Sequence, residues 1–210
     1  MLRENILRSA MDLFGEHGFE PVSIDDVAER AHVGKGSVYR QFTSKQQLYA
    51  EAVIQGFVEL CGEIEVALKG ASSVGERMTI VARHALAYFW NRPEFFAVIR
   101  VPGKLLRSQQ ERYRSQRGAL SAMIAGILKD GIRSEAIRPD LNVELLAESL
   151  LGMMRGVNRY RKRDVSVDEA VRTVVSVFLE GCTTRAPVSR GASGRFNSRS
   201  PRSGWPSPFD

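Results

Sequence analysis

Residues 23–48, SIDDVAERAHVGKGSVYRQFTSKQQL, constrain the fold most, because they crowd two very short helical segments and the start of a third around tight turns. Ser23 precedes Asp26 by three residues, so its hydroxyl can accept from the Asp26 amide while the carboxylate reaches back, a capping box that opens a helix. Val27, Ala28 and Ala31 then recur at one-turn spacing and make a buried face. After a break at His32–Gly34, GKGSVYRQF spells a second helix of barely two turns, too short to stand alone, which must dock on the first. Ser44 with Gln47 caps a long third helix. Two docked short helices, the second polar and exposed, are what a chain needs to place a helix in the major groove of DNA. On spacing alone, a capped hairpin inside an ordinary helical bundle remains open as the alternative.

Apolar residues recur at intervals of three and four throughout and strand-like alternation is missing, so the chain is predicted to be all-α. A first helix over residues 3–16 carries Ile6, Leu7, Ala10, Leu13 and Phe14 on one face, with Gly18 at the C-cap. The helix after Ser44 is expected to run to residue 69, although Gly56 and Gly62 each cost it roughly 1 kcal/mol relative to alanine. Ser73 and Glu76 open another, ending before Pro93. A short aromatic-rich segment follows over 94–101, then a long helix over 104–129, turns at Gly131 and Pro139, and two more helices over 142–157 and 166–180. That makes about nine helices, divided into an N-terminal three-helix helix-turn-helix domain (1–48) and a C-terminal helical domain (49–182). Beyond residue 183 the composition turns to Ser, Gly, Pro and Arg, which predicts a disordered basic tail.

The formal net charge of +6 says less about nucleic acid than its placement does. Residues 1–50 carry six Lys/Arg against seven Asp/Glu, whereas the tail carries five arginines (185, 190, 195, 199 and 202) against one aspartate. Those tail arginines would add non-specific attraction to phosphate. The loop RGVNRYRKRD at 155–164 reads as solvated. No run approaches the ~20 apolar residues that span a bilayer, and the N-terminus lacks a signal peptide's pattern, so no membrane partner is expected. Cys61 and Cys182 form no disulfide framework, which favours the reducing cytoplasm.

Within the second short helix, Val38 and Phe42 lie one turn apart and form the buried anchor. Lys35, Ser37, Tyr39, Arg40 and Gln41 then point elsewhere: Ser37 toward a phosphate or base edge, Tyr39 toward a phosphate, Arg40 or Gln41 toward a base. Gly34 and Gly36 keep this end thin enough for the backbone to approach a duplex, and Lys45 would meet phosphate.

The stretch resembles the DNA-binding region of tetracycline-repressor-type regulators. Leu13-Phe14, Gly18-Phe19, Ser23, Val27-Ala28, Ala31, Val33, Lys35-Gly36, Tyr39, Phe42, Ser44-Lys45 and Leu48 all fall in the family's register. The resemblance implies a homodimer that binds a short palindromic operator in double-stranded DNA and represses transcription. It further implies that a small effector bound in the C-terminal domain releases the DNA. It assigns the recognition helix to about 35–42, places Ser23, Lys35, Ser37, Tyr39 and Lys45 at positions that contact DNA, and gives dimerisation to the last two helices. Two residues depart from the pattern. His32 replaces a common glycine in the turn, and Ser37 replaces the commoner threonine while keeping the hydroxyl.

The last two helices carry more apolar surface than one small unit requires. Leu146, Leu150, Met153, Val171, Val175 and Phe178 are the expected dimer face, with intramolecular core as the alternative. His84, Tyr88, Phe89, Trp90, Phe95 and Phe96, closed by Met78, Leu120, Met123 and Ile127, are the expected effector pocket, suited to an uncharged or amphipathic molecule; plain core packing is the alternative. Catalysis and a bound cofactor are not expected: His17, His32 and His84 lack metal-ligand spacing, neither cysteine sits in a CxxC, and Gly34-Lys35-Gly36 is no phosphate loop. An effector-independent architectural DNA binder, or an activator, would share the same N-terminal motif.

Overall fold

The computed structural model describes residues 1–92, 107–159 and 165–183, without the side chains of 107–110. Eight α-helices fill the described residues: α1 (Leu2–His17), α2 (Ile24–Arg30), α3 (Lys35–Gln41), α4 (Lys45–Ala67), α5 (Val74–Asn91), α6 (Arg107–Arg133), α7 (Val143–Arg159) and α8 (Val167–Cys182). The helix expected over 94–101 and the basic tail lie outside the described residues. No described helix is long and apolar enough to cross a membrane.

Local chemistry sets the helix ends where the sequence placed them. Both arms of the α2 capping box form: Ser23 Oγ accepts from the Asp26 N–H at 3.1 Å, and the Ser23 N–H donates to Asp26 Oδ2 at 2.7 Å. The Ser44, Ser73 and Ser166 hydroxyls each accept from the amide three residues on, at 3.1 Å, and Asn142 Oδ1 does the same for Leu145 at 2.9 Å. Gly18 ends α1 with φ 84°, its N–H bonded to the Phe14 carbonyl. His32 turns the chain between α2 and α3 with φ 53°, a left-handed conformation that histidine tolerates better than most residues and that explains why glycine suits the position.

One helix end differs from expectation. Residue 131 is not a turn; α6 continues to Arg133, and the chain reverses at Glu135, φ 59°. Gly131 serves close packing instead: a Cβ there would sit 2.6 Å from Ile137 Cγ1 and 2.9 Å from Val74 Cγ2. Ile137 then forms an isolated antiparallel bridge with Thr183, which ties the α6–α7 connection to the end of α8.

α1 packs against α4, and α2 packs against both α1 and α3, so α4 is the floor of the N-terminal unit. The same helix continues into the C-terminal unit, where it meets α5 and α6; α5 also packs on α8, and α6 on α7. Buried residues form one continuous cluster through both units, from Phe14 and Phe42 through Leu48, Phe57 and Leu60 to Ile124 and Phe178. Each such side chain contributes roughly 1.5–3 kcal/mol by leaving water. Gly56 is explained by this packing, because a Cβ there would lie 1.9 Å from the Tyr88 hydroxyl. Gly62 faces open space, and nothing in the structure accounts for it. Both cysteines are buried and free, and burial pushes both thiols up.

Candidate nucleic-acid interface and effector cavity

Val38 and Phe42, 0% and 1% exposed, fasten α3 to the core and so decide which of its faces looks outward. Lys35, Gly36, Tyr39, Arg40 and Gln41 are exposed on that outer face, and Ser37 is half-buried at its edge. A Cβ at Gly34 or Gly36 would meet nothing within 4 Å, so the start of α3 is open to a close-fitting surface. Arg40 Nη2 donates to Ser37 Oγ at 2.9 Å, which lays the guanidinium along the helix and links the two side chains.

The flanking cations are held by neighbours. Lys35 Nζ bonds Asp25 Oδ2 at 2.8 Å, and that carboxylate holds the ammonium above the usual lysine value. Lys45 Nζ donates to the Glu20 carbonyl at 3.0 Å and sits 4.3 Å above the Phe19 ring. Ser23 is exposed at the N-terminus of α2, where its oxygen serves the cap. Its N–H and then its hydroxyl hold the Asp26 carboxyl below the usual range. All eight residues expected at a DNA surface therefore lie on α3 or beside it, at the starts of α2 and α4.

The cavity lies elsewhere than the sequence suggested. It opens between α4, α5, α6 and α7, lined by Phe57, Phe89, Leu120, Leu151 and Met154, with Tyr113, Arg117, Arg155 and Asn158 as its polar groups. Among the described members of the expected pocket, Phe89 and Leu120 line it. Tyr88 is one position along α5, which turns its side chain about 100° away, onto Gly56. Ile127 is seven residues beyond Leu120 on α6, roughly 10 Å further along the axis, and is buried in the core. Met123 packs partly buried against that core, and His84 is half-buried with Nδ1 3.9 Å from Glu63 Oε2. Phe95 and Phe96 lie outside the described residues. The sequence reasoning missed Tyr113, Arg117, Arg155 and Asn158; Tyr113 and Arg117 are four apart on one helical face, the signal that was available.

The cleft holds about 470 Å³ of atom-free space, counting its open mouth. Phe57 meets Tyr113 edge-on at 5.5 Å and Phe89 at 5.7 Å, giving the cleft an aromatic wall.

The expected dimer face divides in two. Leu150, Val171, Val175 and Phe178 are buried by this chain's own core, while Leu146 and Met153 are half-exposed. Helical period explains the split: the inward stripe is the core, and the outward one presents Leu145 (68% exposed) with Ser149 and Met153 on α7, and Val177 (58%) on α8.

Comparison with known proteins matches both units. The description of bacterial regulatory proteins of the tetR family fits residues 6–52, and that of the tetracyclin repressor-like C-terminal domain fits residues 71–182. The HTH-type transcriptional repressor KstR2 of Rhodococcus jostii is 27% identical over 186 residues, covering 85% of this chain and 90% of its own. KstR2 of Mycolicibacterium smegmatis is 26% identical over 147 residues, 69% of this chain and 71% of its own. In fold, the chain is similar to the regulator FadR of Bacillus subtilis, solved in complex with stearoyl-CoA, with a TM-score of 0.71 at 16% identity over 85% of this chain and 98% of that one. With an exposed α3 anchored as a groove-reading helix requires and both units matched in sequence, the chain belongs to the TetR family of bacterial regulatory proteins.

Proposed function

We propose that this DNA-binding transcriptional regulator is a cytoplasmic homodimeric repressor, which binds a palindromic operator through two α3 helices and is released by a small effector. The observation that carries this is the path of α4. It follows α3 directly in the chain, its first turn places Leu48 in the same buried cluster as Val38 and Phe42, and about two and a half turns later Phe57 lines the cavity. A ligand that displaces Phe57 therefore moves the helix that sets the recognition helix.

One seven-residue helix per half-site gives little contact, so specific binding calls for two copies with their α3 helices about 34–36 Å apart or a multiple of it. Effector and DNA then oppose each other through that spacing, and the coupling is reciprocal: DNA weakens effector binding by the factor by which effector weakens DNA binding. The relatives whose names describe transcriptional repressors favour repression over activation.

The test is fluorescence anisotropy of the protein against tiled duplexes from DNA flanking its own gene, at about 0.15 M salt. Two chains on one palindromic duplex, with far weaker binding elsewhere, is the expected result. Uniform weak binding to every duplex would favour an architectural DNA binder.

A further inference from the structure

We propose that the effector is a monoanionic amphiphile, an apolar body bearing one carboxylate, whose head is held by Arg155, Tyr113 and Asn158. This rests on the cleft between α4 and α7 being the effector site, and it narrows the uncharged or amphipathic molecule expected from the sequence to an amphiphile with a charged head.

Three polar groups face this cleft without an internal partner. The Tyr113 hydroxyl is fully buried and makes no hydrogen bond. Asn158 is 8% exposed, and its amide bonds no described group. Arg155 lines the same cleft and forms no ion pair with any described residue. A buried hydroxyl is ordinarily satisfied, so the open Tyr113 hydroxyl, with the Asn158 amide and the Arg155 guanidinium lining the same space, points to something that fills it.

Charge narrows the choice. Arg117, the other cation of the cleft, is already committed to Glu148. Burial works against ionising Glu148, yet hydrogen bonds from Ser121 and Arg117 hold its carboxyl below the usual range. Among the described residues, two guanidiniums against one carboxylate leave one positive charge over, which a monoanion neutralises and a neutral molecule does not. Burial also pushes the Tyr113 phenol up, so it stays a donor at neutral pH. The Arg155 fork, the Tyr113 hydroxyl and the Asn158 amide supply donors only a planar, charged acceptor uses together. Opposite them, Phe57, Phe89, Leu120 and Leu151 offer no polar atom to a head group, only contact for an apolar body.

The experiment is calorimetric titration of the full chain with matched pairs of one apolar frame: hexanoate and 1-hexanol, octanoate and 1-octanol, decanoate and 1-decanol. Each acid is expected to bind roughly tenfold or more tighter than its alcohol, the value of a charge-assisted bond. Arg155→Gln should bring the acids down to the alcohols' affinity, while Arg155→Lys keeps part of the preference. Thermal unfolding of the unliganded variants checks that the fold survives. Equal affinity for acid and alcohol, or a preference that survives Arg155→Gln, overturns the inference and leaves the cleft as an effector site for neutral molecules. If no member of any pair binds, both the inference and the cleft's role as effector site fall. An acid that binds with preference but leaves operator affinity unchanged in the anisotropy assay keeps the ligand class of the cleft and overturns its role as the effector.

Discussion

Arg3 on α1 donates through Nη2 to Glu51 Oε2 on α4 at 3.0 Å, and the same guanidinium lies 5.1 Å from the centre of the Phe42 ring at the end of α3. The Glu51 side chain is only 7% exposed, and its other oxygen accepts from Arg112 on α6. One buried carboxylate on α4 thus ties that helix to α1 in the N-terminal unit and to α6, a wall of the cleft, with an arginine from each.

The asymmetry of burial makes this junction testable. Both arginines are about half-exposed and can return to water if Glu51 is lost. The carboxylate cannot. Glu51→Gln should therefore cost about 1–2 kcal/mol, whereas the double variant Arg3→Ala/Arg112→Ala, which strands a buried charge, should cost about 3 kcal/mol or more. Urea unfolding measures both, and a Glu51→Gln loss larger than the double variant's would show that the carboxylate is not held by these partners.

A second test sits one helical turn further along α4. Gly56→Ala gains about 1 kcal/mol of helix propensity. It also sets a methyl group 1.9 Å from the Tyr88 hydroxyl and 3.1 Å from its ring carbon. Crowding of that order costs about 1–3 kcal/mol, so the net effect is destabilising. In the Tyr88→Phe background the oxygen is gone and the same glycine substitution should cost less. A thermodynamic cycle over the four proteins reads the difference, and strict additivity would mean the two side chains do not collide.

What was legible in the sequence is what short-range chemistry decides. Ser23, Ser44, Ser73 and Ser166 open helices because a hydroxyl reaches an amide three residues on, and Val38 with Phe42 names the buried side of α3 without knowledge of anything else. The cleft was not legible, for a physical reason. Tyr113 and Arg117 lie in RSQQERYRSQR, whose polarity reads as a solvated face, and only the packing of α6 between α4 and α7 turns them inward. The Gly131 region reads as a turn from sequence, but the helix runs on to Arg133, and the missing side chain at 131 leaves the space that Ile137 and Val74 fill. The outward residues of α3 follow from the anchor, and their expected roles toward DNA come from the chemistry of each side chain, to which the resemblance adds Ser23 and Lys35.

On α3 the side chains should separate into two behaviours. Tyr39→Phe removes one hydroxyl donor directed at phosphate and should weaken binding to every duplex by a similar factor, about 1 kcal/mol. Arg40→Ala and Gln41→Ala should instead relax the preference at particular base pairs, by about 1–3 kcal/mol of discrimination. Competition anisotropy with single-base operator variants distinguishes them. A changed base preference in Tyr39→Phe would reassign Tyr39 to base reading.

The outer stripe of α7 and α8 gives the last prediction, because the apolar residues of those helices divide between inside and outside. Leu150 is 0% exposed, so Leu150→Ala should cost about 2–5 kcal/mol of monomer stability whatever the assembly. Leu145 and Val177 are 68% and 58% exposed, so replacing them alters little within one chain. If their face joins two copies, Leu145→Glu/Val177→Glu places like charges across a symmetric contact and should yield a monomer whose Tm stays near that of the dissociated wild type. Sedimentation velocity gives the mass and thermal unfolding the stability. That monomer should also lose operator affinity, since each half-site is then held by one α3 alone. A double-glutamate variant that remains dimeric would place the contact on another face of the molecule.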